Sequence, residues 1–470
     1  MKARNDDRPR NETRNSQSDL HALRGWKVLV IGLGMSGVSA SRFCAERGAS
    51  VVAVDERPQE SLPHLDGAVL GPDVEVRTGT EIPAASDFDL VVPSPGVPRE
   101  QFADGARRIW GDIELTARAL SVPLVAVTGT NGKSTVVRLI EAMLRATGIR
   151  AQTAGNIGAP ALSLVAEALD VAVLEVSSFQ LETIESFRPQ VAVCLNITPD
   201  HLDRHGSFDD YVRAKAAIFG RQQASDVAVL NFDDPVSRSL AATLRARVVF
   251  FSRRSPQADG VTWDNGRILV SGPGGPHEIP LDPTSLPGLQ GVHNLENILA
   301  ATATVAALGA DTERAAGALL DFEGLPHRCQ EVASGGGIRF VDDSKATNAG
   351  AAQRSLESFP NRVLWIAGGR SKGAEFATLA STAAARARHA FLIGEASDAL
   401  AAALAERLET THCGSIEEAV QAAAGLAEPG EIVLLAPGCA SFDQFASFEE
   451  RGERFASAAR SWVASLGSER

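Results

Sequence analysis

The 470-residue sequence has little to tie it down covalently and little to hold it to a membrane or a polyanion. Its five cysteines, Cys44, Cys194, Cys329, Cys413 and Cys439, are odd in number and form no CxxC pair. That excludes a disulfide framework and a zinc knuckle, and fits a reducing compartment. No apolar run reaches the roughly 20 residues that a spanning helix needs. Acidic residues outnumber basic ones, giving a net charge of −13, and there is no long basic run. A nucleic-acid-binding surface is therefore not expected. An acidic chain that grips phosphate must do so with local lysines, backbone N–H groups and metal ions. Short-period repeats are also missing. Residues 1–24 are polar and charged, so they are expected to form a disordered extension, neither a signal peptide nor a membrane span. A cytoplasmic protein is expected.

What is present is enough apolar sequence, 44%, to pack most of the length, and a length that suggests about three domains. Short apolar runs alternate with alanine- and leucine-rich helical stretches, the pattern of parallel α/β sheets. Strands are expected at 26–32, 50–55 and 89–94; then at 122–129, 171–178, 191–198 and 227–234; then at 338–344, 362–369, 390–394 and 431–438. The three sets predict units at 25–119, 120–324 and 325–470. The glycine- and proline-rich stretch 270–288 reads as a surface excursion of the middle unit.

Two glycine loops carry the chemistry. In the first, Gly32-Leu-Gly34-Met-Ser-Gly37 follows a strand and enters a helix, and Asp55 closes the next strand. This is a dinucleotide fingerprint in its proper setting. It leaves open an NAD-dependent oxidoreductase, another nucleotide ligand held by Asp55, or a tight turn that binds nothing. In the second, a full P-loop places a glycine at 127, where Val127 stands, so Gly129-Thr-Asn-Gly132-Lys133-Ser134-Thr135 is a shortened variant. Lys133 can still reach terminal phosphates, Ser134 can place its hydroxyl on magnesium, and backbone N–H groups form the cradle. A dehydrogenase would leave this second loop without a task.

Glu175 ends an apolar run where phosphate-handling folds often hold a magnesium carboxylate. After another strand come Asp200, His201, Asp203 and His205, of which His201 is the candidate for magnesium; a structural histidine is the alternative. Ser207 and Asp210 mark a helix start. On that helix Lys215 falls among Tyr211, Val212, Ile218 and Phe219, on the apolar face. Such a lysine either snorkels outward or is buried and neutral. A neutral amine near a metal can capture carbon dioxide as a carbamate.

Together these stretches resemble the Mur ligase family, which builds the peptide stem of bacterial cell-wall precursors, from about residue 25 to the C-terminus. "GTNGKST" and "DHLDRH…YVRAKAAIF" are similar to the signature shared across the family. "EVSSFQLE", "DDSKATN" and "GCASFDQFASFEERGERF" are similar to the branch that adds D-glutamate. Other Mur-type or folylpolyglutamate-type ligases are the alternatives within reach.

The resemblance implies an N-terminal Rossmann-like domain, a central P-loop-type ATP-binding α/β domain and a C-terminal Rossmann-like domain. The implied reaction is ATP-dependent amide formation between UDP-N-acetylmuramoyl-L-alanine and D-glutamate, with ATP and Mg2+ and a monomeric enzyme. The implied UDP-substrate residues are Gly34, Ser36, Asp55, Arg57, Ser94, Gly96, Asn156 and Gln180. Asn294, Asn297, Arg328 and Asp343 would join residues 129–135 in holding ATP. Ser134, Glu175, His201 and carbamylated Lys215 would hold metal, and Lys133, His201 and Lys215 would be catalytic. Thr347, Lys372, Ser441, Phe442 and Phe448 fall where the family holds D-glutamate. One departure is Arg370, which would make that pocket more basic than expected if it points inward.

Overall fold

A computed structural model describes residues 23–62, 65, 70–273, 275–282, 286–289, 291–359, 361–371 and 376–468. Among these residues nineteen strands fall into three sheets. The first holds β1 (Lys27–Ile31), β2 (Ser50–Asp55), β3 (Val74–Thr78) and β4 (Leu90–Pro93), all parallel, in the order β3-β2-β1-β4.

The second sheet runs from β5 (Leu124–Thr128), β6 (Ala151–Gly155), β7 (Val171–Glu175), β8 (Val191–Cys194) and β9 (Val227–Asn231) to β10 (Arg247–Ser252) and β11 (Gly260–Asp264). It ends in β12 (Arg267–Ser271) and β13 (His277–Ile279), and its order is β13-β12-β11-β10-β9-β8-β5-β7-β6. The third comprises β14 (Gln330–Gly335), β15 (Ile338–Asp342), β16 (Val363–Gly368), β17 (Ala387–Ile393), β18 (Thr410–His412) and β19 (Ile432–Leu435). Its order is β14-β15-β19-β16-β17-β18, parallel apart from the β14–β15 pair.

The expected three-domain α/β fold is what the chain adopts. Strands β5, β7, β8 and β9 are buried along their whole length, which is why they read as unbroken apolar runs: a parallel sheet is covered on both faces. The helix Lys133–Ala146 covers β5 with Val136, Leu139, Ile140, Met143 and Leu144, none of them exposed, and packs against the helix Val292–Ala307. Each such side chain contributes roughly 1.5–3 kcal/mol by leaving water.

In each sheet the strand order reverses beside one strand: β1 next to β4, β5 next to β8, and β19 between β15 and β16. Crevices form at the carboxyl ends of strands at such points. The two glycine loops follow β1 and β5, so both open at one of them.

Two expectations fail locally. The stretch 270–288 is not a mere excursion: β13 pairs antiparallel with β12 and buries Ile279, because the apolar residues among its glycines and prolines extend the sheet edge. Leu23, assigned to the disordered extension, is fully buried in the first core, and its carbonyl accepts from the Trp26 N–H. Residues 1–22 lie outside the described residues.

Candidate active site

Gly132 initiates the helix Lys133–Ala146 with φ of +92°, a conformation that favours glycine. A Cβ there would lie 2.4 Å from Asn297 Oδ1. The loop is fastened to the end of β8: Thr130 N–H donates to Asn196 O at 2.8 Å, and Asn131 N–H to Asn196 Oδ1 at 3.0 Å. Thr130 Oγ1 also lies 3.2 Å from the Tyr211 hydroxyl. Lys133 folds over the loop and donates to the carbonyls of Gly129 and Thr130, both at 2.9 Å.

Lys215 does not snorkel. It is fully buried, donates to Gly129 O at 2.7 Å and lies 4.6 Å from the centroid of the Tyr211 ring. Burial first, and the neighbouring Lys133 second, push its amine well below the usual lysine range. Ser207 caps this helix by accepting from Asp210 N–H at 3.1 Å, the start that the sequence marked.

Glu175 is buried at the end of β7. Its Oε1 accepts from Asn156 Nδ2 at 2.8 Å, while its Oε2 is buried with no hydrogen-bond partner. A hard carboxylate oxygen left over at the end of the strand that pairs with β5, which feeds the phosphate loop, suits magnesium. Among the described residues no three His, Cys, Asp or Glu side chains cluster as a self-sufficient metal site. A metal here would lean on Ser134, Glu175 and its ligand's own oxygens. His201 starts a short turn with φ of +53° and sits edge-on to the Phe179 ring at 5.0 Å. His205, by contrast, is structural: it stacks on Phe179 and lies 3.0 Å from Ser178 Oγ.

The C-terminal unit closes the site from the other side. Arg328 donates to Ser134 Oγ at 2.9 Å across the seam. A cleft, partly open to solvent, lies between the units and is lined by Asn131, Gly132, Asn294, Asn297, Arg328 and Asp343 among others. Asp343 is pushed up to about 6 by burial, with the Ser355 hydroxyl and Arg328 pulling back. Lys345 and Asn348, within "DDSKATN" but not singled out from sequence, also belong here. Lys345 lies over the Phe448 ring at 3.7 Å, and burial, then Arg328, lower it to about 8. Their signal was a lysine and an asparagine in a motif already noticed as a block.

Expected D-glutamate residues are only partly gathered. Ser441 is buried, Phe448 touches Lys345, Thr347 is half-buried, and Phe442 is largely exposed. Lys372 lies outside the described residues. Phe445 serves the core. Arg370 pairs with Glu395 at 3.0 Å on the surface, so its charge is already matched there.

At the first loop, a Cβ on Gly37 would strike Gly32 O at 1.8 Å, which explains that glycine, while Gly34 and Gly96 border open space. Ser94 Oγ donates to Gly32 O at 2.7 Å. Asp55 receives Leu33 N–H at 2.7 Å and three bonds from Arg57. Burial opposes its charge, but these bonds win and hold it at about 2. Gln180 lies one side chain away from this loop, through Asp112. It is buried, its Oε1 completes a capping box with Ser177, and its Nε2 donates to both oxygens of Asp112 at 3.2 and 3.1 Å. Asp112, unremarked in the sequence, also accepts from Ser36 Oγ at 3.2 Å and so joins the first loop to the short helix Ser178–Leu181 of the central unit.

Three family domains match in order: the MurD-like N-terminal domain at 26–103, the Mur ligase middle domain at 127–305, and the Mur ligase glutamate ligase domain at 327–439. The chain belongs to the Mur ligase family.

This Mur ligase is 44% identical over 443 residues to the UDP-N-acetylmuramoylalanine--D-glutamate ligase of Geotalea uraniireducens (strain Rf4), covering 93% of this chain and 97% of the relative. It is 44% identical to the enzyme of that name from Pelotomaculum thermopropionicum, covering 91% and 96%. In fold it is similar to MurF ligase from Thermotoga maritima in complex with ADP, with a TM-score of 0.60 at 18% identity over 94% of this chain and 96% of that one. It is also similar to UDP-N-acetylmuramate-alanine ligase MurC from Thermotoga maritima, with a TM-score of 0.57 at 18% identity over 93% and 99%. Among the described residues no helix is long and apolar enough to cross a membrane.

Proposed function

We propose that this chain is an ATP-dependent amide ligase that joins D-glutamate to UDP-N-acetylmuramoyl-L-alanine, acting as a cytoplasmic monomer. Residues 25–119 take the UDP substrate, 120–324 take ATP, and 325–470 take the amino acid. The observation that carries the reading is the phosphate loop bridged to the C-terminal unit by Arg328 and Ser134, in a chain so similar to relatives of that activity over nearly its whole length.

Joining a carboxylate to an amine is uphill in water. The alanine carboxylate attacks the γ-phosphorus of ATP, the bond to ADP breaks, and an acyl phosphate forms. The amine then attacks the acyl carbon and phosphate leaves with the former carboxylate oxygen. Both partners of the first step are anions, so it needs positive charge between them. Lys133 supplies it once it swings from the loop carbonyls to the phosphates, and Arg328 lies beside Ser134 at the same place. Ser134 and Glu175 suit magnesium, which would supply further charge neutralisation. Lys215, its charged form disfavoured by burial, suits a carbamate, which would place an anion where an amine stands. His201 is the nearest candidate for handling the amine proton or a metal, not both. Asp55 and Arg57 form one unit at the mouth of the first loop and receive the uridine nucleotide as a pair.

The test is phosphate release from ATP by the purified protein. Release that requires both UDP-N-acetylmuramoyl-L-alanine and D-glutamate supports the reading. Release with another amino acid moves it to another ligase of the family, and oxidation of NADH in place of release overturns it.

A further inference from the structure

The N-terminal unit is bound densely to the central one: Glu114 alone accepts from the N–H groups of Glu185, Ser186 and Phe187. Among the described residues the seam with the C-terminal unit shows fewer such bonds, and an asparagine spans it in a particular way. Asn348 Oδ1 accepts from Ala351 N–H at 2.8 Å and so caps the helix Ala349–Glu357. The other half of the same carboxamide crosses the seam. Its Nδ2 donates to Asp200 Oδ2 at 2.9 Å and to Asn131 Oδ1 at 3.3 Å.

Each end of this bridge matters to the site. Asn131 belongs to the phosphate loop, and Asp200 accepts from the His201 N–H at 2.9 Å. The capped helix lends Ala351, Arg354 and Ser355 to the wall of the nucleotide cleft. Its first turn approaches closely at Gly350, where a Cβ would lie 3.4 Å from Thr198 Oγ1.

We propose that Asn348 is a positioning residue, at once the cap of this C-terminal helix and the latch that seats it on the phosphate loop and the His201 turn. The latch sets the amino-acid-binding unit against the phosphate-binding one, and in this it rests on the ligase reading above. Asparagine is suited to both tasks. Aspartate and serine cap helices about equally well, but neither offers an NH2 group with two donors. The bond to Asp200 is charge-assisted, so a carboxylate at 348 would replace attraction by repulsion.

The experiment compares Asn348→Ser and Asn348→Asp with the wild type in the full chain. A residue that only caps predicts three proteins of near-equal activity. The latch predicts kcat for amide formation falling at least about tenfold in the serine variant and about a hundredfold in the aspartate variant, with a raised KM for D-glutamate. The unliganded melting temperature of the serine variant stays close to that of the wild type, because the cap is kept, and that of the aspartate variant falls by the added repulsion at Asp200. Should Asn348→Asp not fold, Asn348→Ser decides alone. Small-angle scattering with ADP and magnesium is the second readout. The wild type is more compact than either variant if the latch is real, and all three are alike if it is not. Scattering does not depend on which amino acid is the substrate. A wild type that makes no amide therefore overturns the ligase reading, while the scattering comparison still decides the latch.

Discussion

Lys133 and Lys215 donate to one carbonyl oxygen, that of Gly129, at 2.9 and 2.7 Å. Two amines on one acceptor repel if both are charged, and the buried one yields. Burial first, and this repulsion second, drive Lys215 towards the neutral form, and Lys133 is left within reach of any phosphate that enters the loop.

Lys133→Ala is expected to lower the rate of phosphate release by at least about 10³-fold, ~4 kcal/mol in barrier, with the fold intact. Trapping of the acyl phosphate checks this. Undiminished acyl phosphate in the variant would assign the role elsewhere.

Lys215→Ala is expected to lose activity and to regain part of it with added short carboxylic acids, which stand in for a carbamate. Absence of rescue in a folded variant counts against the carbamate. The same lysine has a stability signature. Its folded pKa lies below the usual 10.5, so the unfolded chain binds the extra proton and stability rises with pH across that interval. Lys215→Met should flatten the rise in denaturant titrations at increasing pH.

Asp343 has the opposite sign from an ordinary carboxylate. It is held at about 6 in the fold against 3.8 normally, so the folded state binds its proton more tightly. Stability therefore falls as pH rises from about 4 to about 6, by on the order of 2–3 kcal/mol. Asp343→Asn should melt at a higher temperature relative to wild type at pH 7 than at pH 4. A constant difference across that range would contradict the raised value.

Gly132→Ala should cost roughly 1–3 kcal/mol from the positive φ alone, before the clash with Asn297 is counted. Thermal unfolding measures the loss, and calorimetry should find ATP binding weakened while UDP-substrate binding is kept.

Much of this was legible in the sequence because the fold repeats one device. Parallel strands buried on both faces announce themselves as apolar runs, and glycines at the ends of β1 and β5 announce the crevices. Strands with mixed composition were not legible. β3 (VEVRT) and β14 (QEVASG) sit at sheet edges, exposed enough to carry charge, and β13 hides among glycines and prolines. At the site, Lys215 could be placed on an apolar face from helical spacing alone. What spacing cannot give is which polar group a side chain meets after the chain closes. The motif around Gln180 does not say that Asp112, distant in sequence, takes its amide. Asn348 looked like one letter of a motif until the seam placed Asp200 beside it.

The central claim is that the phosphate loop hands the γ-phosphoryl group of ATP to a carboxylate. Its most direct measurement uses UDP-N-acetylmuramoyl-L-alanine labelled with oxygen-18 in the alanine carboxylate. The account predicts one labelled oxygen in each phosphate released, carried over when the amine displaces it. Unlabelled phosphate accompanying amide formation would contradict it.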